Sequence, residues 1–154
     1  MFIISSILIL SFNFIFCLDE RYHTYEEVHQ QLIDWDVEFG NNPNAIAQYP
    51  GSGIVYDLIE IGYSNNLNLP FWAVKLSYNA DINEDEPKVL ILGQCHAEEI
   101  LGVEIAMEII DWFLHPLEHV QIFNTVLKPI LQNTEIWVVP THNPEGLGVV
   151  HGIE

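Results

Sequence analysis

Positively charged side chains are scarce in this sequence. The 154 residues include four lysine and arginine residues against 22 aspartate and glutamate residues, which gives a formal net charge of −18 at pH 7. The four cations are Arg21, Lys75, Lys88 and Lys128. A surface of this sign repels the phosphates of nucleic acids and anionic membranes. The sequence therefore predicts no nucleic-acid partner, and no stable membrane partner once an amino-terminal signal has been removed.

Cysteine is also scarce, since Cys17 and Cys95 are the two in the chain. Two cysteines cannot supply the pair of Cys-x-x-Cys units of a structural zinc site. The sequence also has no Gly-rich phosphate loop and no Gly-x-Ser-x-Gly motif. No motif in the sequence therefore supports a zinc-finger, nucleotide-binding or serine-hydrolase function. The apolar fraction of 49% is nevertheless enough for a folded core.

The first 16 residues, MFIISSILILSFNFIF, are uncharged and mostly apolar. This segment is short for a membrane span, which needs about 20 residues, and is typical of the hydrophobic region of a secretory signal. We predict that residues 1–17 are a signal peptide and residues 18–154 a folded domain, and that the protein is secreted, in the periplasm or the extracellular space. A retained anchor and a lipid-modified Cys17 are the alternatives.

Alternating helix and strand patterns predict an α/β fold with a mixed central sheet and flanking helices. Thr24 and Glu27 form a capping box that opens a helix ending near Phe39. The β-rich runs 54–64 and 71–78 predict an antiparallel pair of strands. Further strands are expected at 88–92 and 136–139, and further helices at 98–114 and 117–127. The helix residues predicted to pack on the sheet are Ile105, Met107, Ile109, Trp112 and Phe113.

The segment 87–101, PKVLILGQCHAEEIL, carries the most informative chemistry. Its apolar run 89–92 is typical of a central strand that is buried on both faces, and Gly93 ends the run before His96 and Glu99. Ligands of open α/β sheets bind at the carboxyl ends of such strands. An imidazole and a carboxylate at this position can bind one zinc ion, and a catalytic zinc site has three protein ligands and one open position.

The spacing alone is not specific, because the chain contains five His-x-x-Glu pairs: His23/Glu26, His96/Glu99, His115/Glu118, His142/Glu145 and His151/Glu154. The structural alternative for His96 and Glu99 is a hydrogen-bonded histidine at a helix start with a glutamate in the first turn, where negative charge is favoured. The preceding strand favours the ligand interpretation. We interpret Cys95 as a small buried residue rather than a nucleophile.

The same segment resembles the first zinc-binding segment of the zinc metallocarboxypeptidases of the carboxypeptidase A type, in which an apolar strand precedes His-x-x-Glu. The stretch 138–146, VVPTHNPEG, is similar to that family's strand and Asn-Pro-Asp-Gly turn. The resemblance covers about residues 22–154, the amino-terminal part of the family's catalytic domain. It implies that His96 and Glu99 bind one Zn²⁺. It also implies a turn that supports the site, formed by Asn143, Pro144, Glu145 and Gly146.

Two features depart from the family pattern. Glu98 stands where many of these enzymes have an arginine that helps bind the peptide substrate, so an acid there is expected to alter or abolish that contact. The family's third zinc ligand (a histidine), its substrate-binding arginines and its catalytic glutamate lie beyond residue 154. We therefore expect this chain to be a fragment that is inactive on its own.

The resemblance implies hydrolysis of the carboxy-terminal bond of a peptide or protein substrate, with a zinc-activated water and a glutamate as general base. Two alternatives remain open at this point. One is a related zinc amidohydrolase that acts on N-acylated amino acids. The other is a truncated, catalytically inactive exported module that binds a partner. Zinc binding and the residues that follow residue 154 distinguish the three.

Overall fold

The computed structural model describes residues 21–118 and 122–152, and the predicted signal peptide lies outside this range. The strands are β1 (Tyr56–Tyr63), β2 (Pro70–Leu76), β3 (Lys88–Gln94) and β4 (Glu135–Thr141). The helices are α1 (Tyr25–Phe39), α2 (Ile100–Leu114), α3 (Lys128–Leu131) and α4 (Pro144–Val150). In this part of the chain, none of the helices combines the length and apolar character that a bilayer crossing requires.

The four strands form one mixed sheet in the order β1-β2-β4-β3. Strands β1 and β2 are antiparallel, as the sequence predicts, and β2 is also antiparallel to β4. Strand β3 runs parallel to β4, with Gln94 opposite Thr141 at the carboxyl ends of the two strands. The mixed sheet and its helices confirm the predicted α/β fold.

The capping box forms as predicted at the start of α1. The Glu27 backbone N–H donates to Thr24 Oγ1 (3.2 Å), and the Thr24 N–H donates to Glu27 Oε2 (2.8 Å). The apolar stripe behind it is buried, and the Tyr56 hydroxyl of β1 donates to the Leu32 carbonyl (2.8 Å). Local sequence therefore sets where α1 begins, and one buried hydrogen bond ties it to the sheet.

Helices α1 and α2 lie side by side and contribute to one hydrophobic core. Near their amino-terminal ends, His23 Nδ1 lies 2.7 Å from Glu104 Oε2. Near their carboxyl-terminal ends, the rings of Phe39 and His115 pack edge to face with centroids 5.6 Å apart. Contacts at both matching ends show that the two helices run parallel.

A close contact between two glycines places the start of α2 against β3. A β-carbon on Gly93 would lie 2.1 Å from the Pro140 carbonyl oxygen and 2.8 Å from that of Gly102. A β-carbon on Gly102 would lie 2.7 Å from the Gly93 carbonyl oxygen. Because no side chain fits between these backbones, both positions require glycine. The contact fixes the loop that joins β3 to α2.

The prediction of a central strand buried on both faces at residues 88–92 is wrong for the described part of the chain. Strand β3 is an edge strand, and within residues 21–118 and 122–152 it pairs with β4 alone. Ile91 packs against the core below α2, but Leu90 and Leu92 alternate to the other face and are 62% and 54% exposed. An apolar run indicates burial but does not identify the neighbours that provide it.

Two helix predictions are also corrected. The first concerns which side chains of α2 pack on the sheet: Met107 and Phe113 are buried, but Ile105 is exposed. The apolar residues of α2 cover more than half of its circumference, so the sequence pattern does not select one face. The residues of α2 that are buried are Val103, Ala106, Met107, Ile110, Phe113 and Leu114. The predicted helix at 117–127 is a π-helical turn, Phe123–Leu127, that leads into α3, and residues 119–121 lie outside the described residues.

A buried carboxylate holds two of the four cations of the chain. Glu135, at the start of β4, lies 3.3 Å from Lys75 Nζ and 2.8 Å from Lys88 Nζ, and Trp137 Nε1 donates to it (3.2 Å). Burial raises the pKa of Glu135, but the hydrogen bonds from Lys88, Trp137 and Lys75 outweigh this effect and hold the pKa at about 2. The cluster joins β2, β3 and β4 through one side chain.

Glu135→Gln is expected to lower the free energy of unfolding at pH 7 by about 3 kcal/mol, because it leaves the buried Lys75 ammonium without its counter-ion. The pKa of Glu135 lies below its ordinary value of 4.5, so its contribution is present above pH 4.5 and is lost as the pH falls toward 2. Denaturant unfolding should therefore show that the free energy of unfolding falls less between pH 5 and pH 3 in Glu135→Gln than in the unsubstituted protein. Glu38→Gln, at an exposed site on α1, is the control, and equal pH dependence in all three proteins would contradict the prediction.

The open outer edge of β3, which has no partner strand within residues 21–118 and 122–152, predicts concentration-dependent self-association of this chain, since exposed apolar edge strands pair with one another. Leu90→Lys is expected to reduce the associated fraction in sedimentation velocity, because it places a charge beside the open edge. Val37→Lys makes the same change of charge at an exposed apolar position on α1 and is the control. If both variants reduced association equally, net charge rather than the strand edge would be responsible.

Candidate metal centre

His96 and Glu99 lie in the loop between β3 and α2, at the carboxyl end of β3. His96 Nδ1 is 3.0 Å from Glu99 Oε1, and the His96 backbone N–H donates to Glu99 Oε2 (3.0 Å). The two side chains are 69% and 50% exposed, so an ion can reach both from solvent. Cys95 is exposed as well, and its predicted burial is wrong because the strand ends one residue earlier.

Each of the two side chains stabilises the charged form of the other. The pKa of His96 is raised mainly by its hydrogen bond to Glu99 and secondly by the negative charge of Glu99. The pKa of Glu99 is lowered mainly by the hydrogen bond from the His96 backbone N–H and secondly by the hydrogen bond from the His96 side chain. Both groups can offer lone pairs to one cation once His96 is neutral, and an imidazole nitrogen with a carboxylate oxygen suits zinc.

The pair is not a complete metal site by itself. Among residues 21–118 and 122–152, no three His, Cys, Asp or Glu side chains are grouped so that they could hold a metal ion. A catalytic zinc ion needs three protein ligands. The donor chemistry of His96 and Glu99 therefore fits zinc, and the described residues supply two of the ligands that it requires.

The predicted supporting turn does contact the loop that carries the pair. Asn143 caps α4, with its Oδ1 accepting from the Gly146 N–H (3.0 Å), and its Nδ2 donates to the Cys95 carbonyl (3.0 Å). Pro144 occupies a first-turn position that suits its fixed φ angle. A β-carbon on Gly146 would overlap the amide group of Asn143, so a side chain at this position would displace the cap of α4. One asparagine thus links the turn to the residue before His96.

Glu145 belongs to the same turn but points toward the loop between β1 and β2. Its Oε1 accepts from the backbone N–H groups of Asn66 (2.9 Å) and Leu67 (2.8 Å), and its Oε2 accepts from Asn66 Nδ2 (2.7 Å). The hydrogen bonds from Ser64, Leu67 and Asn66 hold the pKa of Glu145 at about 2. Glu145 therefore anchors a loop 79 residues earlier in the chain rather than contacting the His96/Glu99 pair.

Sequence reasoning did not single out Gln94, which is fully buried beside the candidate site. Its Nε2 donates to the Ala97 carbonyl (3.1 Å), and its Oε1 accepts from Thr141 Oγ1 (2.5 Å). The available signal was a polar residue that directly follows the apolar run and Gly93, two positions before a proposed ligand. Buried amides need partners, so this position could have been predicted to bind the loop.

Comparison with known proteins shows which family and which proteins this chain is similar to. A family model described as zinc carboxypeptidase matches residues 47–152, which include both His96 and Glu99 and the turn. A zinc carboxypeptidase of Saccharothrix mutabilis subsp. capreolus is 36% identical over 76 residues, covering 49% of this chain and 17% of that protein. Carboxypeptidase SOL1 of Arabidopsis thaliana is 25% identical over 92 residues, covering 60% of this chain and 18% of that protein.

Solved structures share the fold. Carboxypeptidase A from Helicoverpa armigera has a TM-score of 0.61 at 22% identity, over 84% of this chain and 26% of that one. Thrombin-activatable fibrinolysis inhibitor has a TM-score of 0.61 at 14% identity, over 81% of this chain and 26% of that one. The chain therefore spans less than a fifth of the curated relatives and about a quarter of the structural neighbours.

Glu145→Gln is expected to loosen the loop between β1 and β2, because an amide has one acceptor oxygen where the carboxylate has two, and its NH₂ group faces other donors. Hydrogen exchange of the Asn66 and Leu67 amides should accelerate at pH 7. In the unsubstituted protein, the anchoring is present above the ordinary pKa of 4.5 and is lost as the pH falls toward 2. Glu38→Gln is the control, and unchanged exchange in Glu145→Gln would show that the anchor is dispensable.

Proposed function

Because this chain belongs to the zinc carboxypeptidase family, we propose that the whole protein is a zinc-dependent metallocarboxypeptidase that hydrolyses carboxy-terminal bonds of peptides or proteins. One observation carries the proposal. His96 and Glu99, a His-x-x-Glu pair within the family match, hold their donor atoms 3.0 Å apart and exposed to solvent at the carboxyl end of β3. The pair His142/Glu145 follows β4 in the same way, but its Glu145 carboxylate is bonded to Asn66 and Leu67 instead.

The residues of this chain have separate tasks in the proposed site. The neutral His96 imidazole and the Glu99 carboxylate bind the metal, and Asn143 holds the backbone next to His96. A zinc ion held by these two residues would supply a Lewis acid for the scissile carbonyl and for the attacking water. Glu98 is exposed in the same loop and adds negative charge where family members commonly place a substrate-binding arginine. We propose that the site acts on peptides outside the cytoplasm, after export directed by residues 1–17.

A catalytic zinc site needs a third protein ligand. Among residues 21–118 and 122–152, no third His, Cys, Asp or Glu side chain is grouped with His96 and Glu99 to complete one. The chain covers 17% and 18% of the two curated relatives, so the proposed activity belongs to the protein made from the full coding sequence. Its metal content and its activity are the quantities to measure.

In that protein, His96→Ala and Glu99→Ala are each expected to lower bound zinc from one equivalent to well below one, because each removes a metal ligand. The measurement is elemental analysis after dialysis against a weak chelator. The matched controls are His115→Ala and Glu118→Ala, which alter a pair with the same spacing at the other end of α2. One equivalent of zinc in His96→Ala would contradict the assignment.

Activity is tested on a peptide with a free carboxy-terminus and on the same peptide with a carboxy-terminal amide, followed by mass spectrometry. The proposal predicts release of the last residue from the free peptide, little from the amide, and none in His96→Ala or Glu99→Ala. Cleavage of N-acylated amino acids without cleavage of the peptide would instead indicate an amidohydrolase. A folded protein that binds no zinc and cleaves neither substrate would indicate a binding module.

A further inference from the structure

Gln94 is an unusual residue for the interior of this sheet. It is the last residue of β3, follows Gly93 and is completely shielded from solvent, and the other side chains shielded to this degree are mostly apolar. An amide in such a place is stable only where its polar atoms are hydrogen-bonded. The partners of Gln94 therefore indicate what it does.

Both ends of the Gln94 amide are bonded, and they connect two different segments. Its Nε2 donates to the carbonyl of Ala97 (3.1 Å), which lies in the backbone between His96 and Glu99. Its Oε1 accepts from the hydroxyl of Thr141 (2.5 Å), the residue beside it in the parallel ladder. The side chain thus fixes the backbone that carries both proposed ligands to the end of β4.

The network continues from Thr141 to the supporting turn and returns to the loop. Thr141 Oγ1 accepts from the Asn143 N–H (3.0 Å), and Asn143 Nδ2 donates to the Cys95 carbonyl (3.0 Å). Carbonyls on both sides of His96, those of Cys95 and Ala97, are therefore held by side-chain amides. Every link is made by an uncharged group.

We propose that Gln94 is a positioning residue that sets the geometry of the His96/Glu99 pair for metal binding, with Thr141 as its partner. The inference rests on the proposed zinc function and goes beyond the ligands themselves. Leucine at this position would keep the approximate volume and lose both hydrogen bonds. Glutamate would keep an acceptor for Thr141, but its charged form could not donate to Ala97.

The first test measures zinc affinity by competition with a chromophoric chelator, in the protein made from the full coding sequence. Gln94→Leu and Gln94→Glu are each expected to weaken binding by roughly tenfold or more, which is the usual effect of removing a group that orients a ligand. In the metal-free protein, hydrogen exchange of the Glu99 amide, which donates to the His96 carbonyl, should accelerate in both variants.

Thr141 provides a matched pair of variants that separates positioning from packing and covers the case in which Gln94 variants fail to fold. Thr141→Val keeps the shape and loses the hydroxyl, whereas Thr141→Ser keeps the hydroxyl and loses a methyl group. We expect weakened zinc binding in Thr141→Val and near-normal binding in Thr141→Ser, whatever the change in thermal stability of each. If Thr141 had a merely structural role, the zinc affinity of each variant would instead change in parallel with its thermal stability.

The outcomes distinguish failure of this inference from failure of the proposed function. Unchanged zinc affinity in Gln94→Leu and Thr141→Val, alongside lost binding in His96→Ala, would overturn the positioning role and leave the function in place. If His96→Ala still bound zinc normally, the proposed function would be overturned, and the positioning role of Gln94 would be overturned with it. Weakened binding in Thr141→Val that Thr141→Ser restores supports the inference.

Discussion

The parallel pairing of β3 with β4 is the constraint on which the candidate site depends. It brings Gln94 and Thr141 side by side although they are 47 residues apart in the chain, and so places the loop after β3 next to the turn after β4. The contact of Gly93 with Gly102 then holds α2 directly against β3. Without this register, His96 would have no supporting turn, and the backbone bonds on both sides of it could not form.

Features encoded by neighbouring residues could be predicted from the sequence. The capping box of Thr24, the antiparallel pair β1 and β2, and the position of His96 and Glu99 between a strand and a helix each depend on a short stretch of chain. The likeness to a known family also follows from two short segments. The proposed roles of His96 and Glu99 as zinc ligands remain predictions, because ligand roles require a bound metal to test them.

Features that depend on distant contacts could not be predicted. The apolar run of β3 gives no sign that Leu90 and Leu92 face outward in the described structure, because exposure depends on which strands and helices cover them. In the same way, the carboxylate of Glu145 finds its partners at Asn66 and Leu67, far earlier in the chain. The residue pattern of a segment indicates which side chains can be buried, whereas the topology of the fold determines which strands and helices contact them.

The charges of this protein divide its polar anchors into two kinds. Glu135 and Glu145 hold the sheet and the β1–β2 loop as carboxylates, and their lowered pKa values make both anchors sensitive to acid. The loop of His96 is held instead by the amides of Gln94 and Asn143 and the hydroxyl of Thr141. Because these anchors are uncharged, they neither titrate nor compete for a cation with His96 and Glu99, the proposed ligands, in a chain of net charge −18.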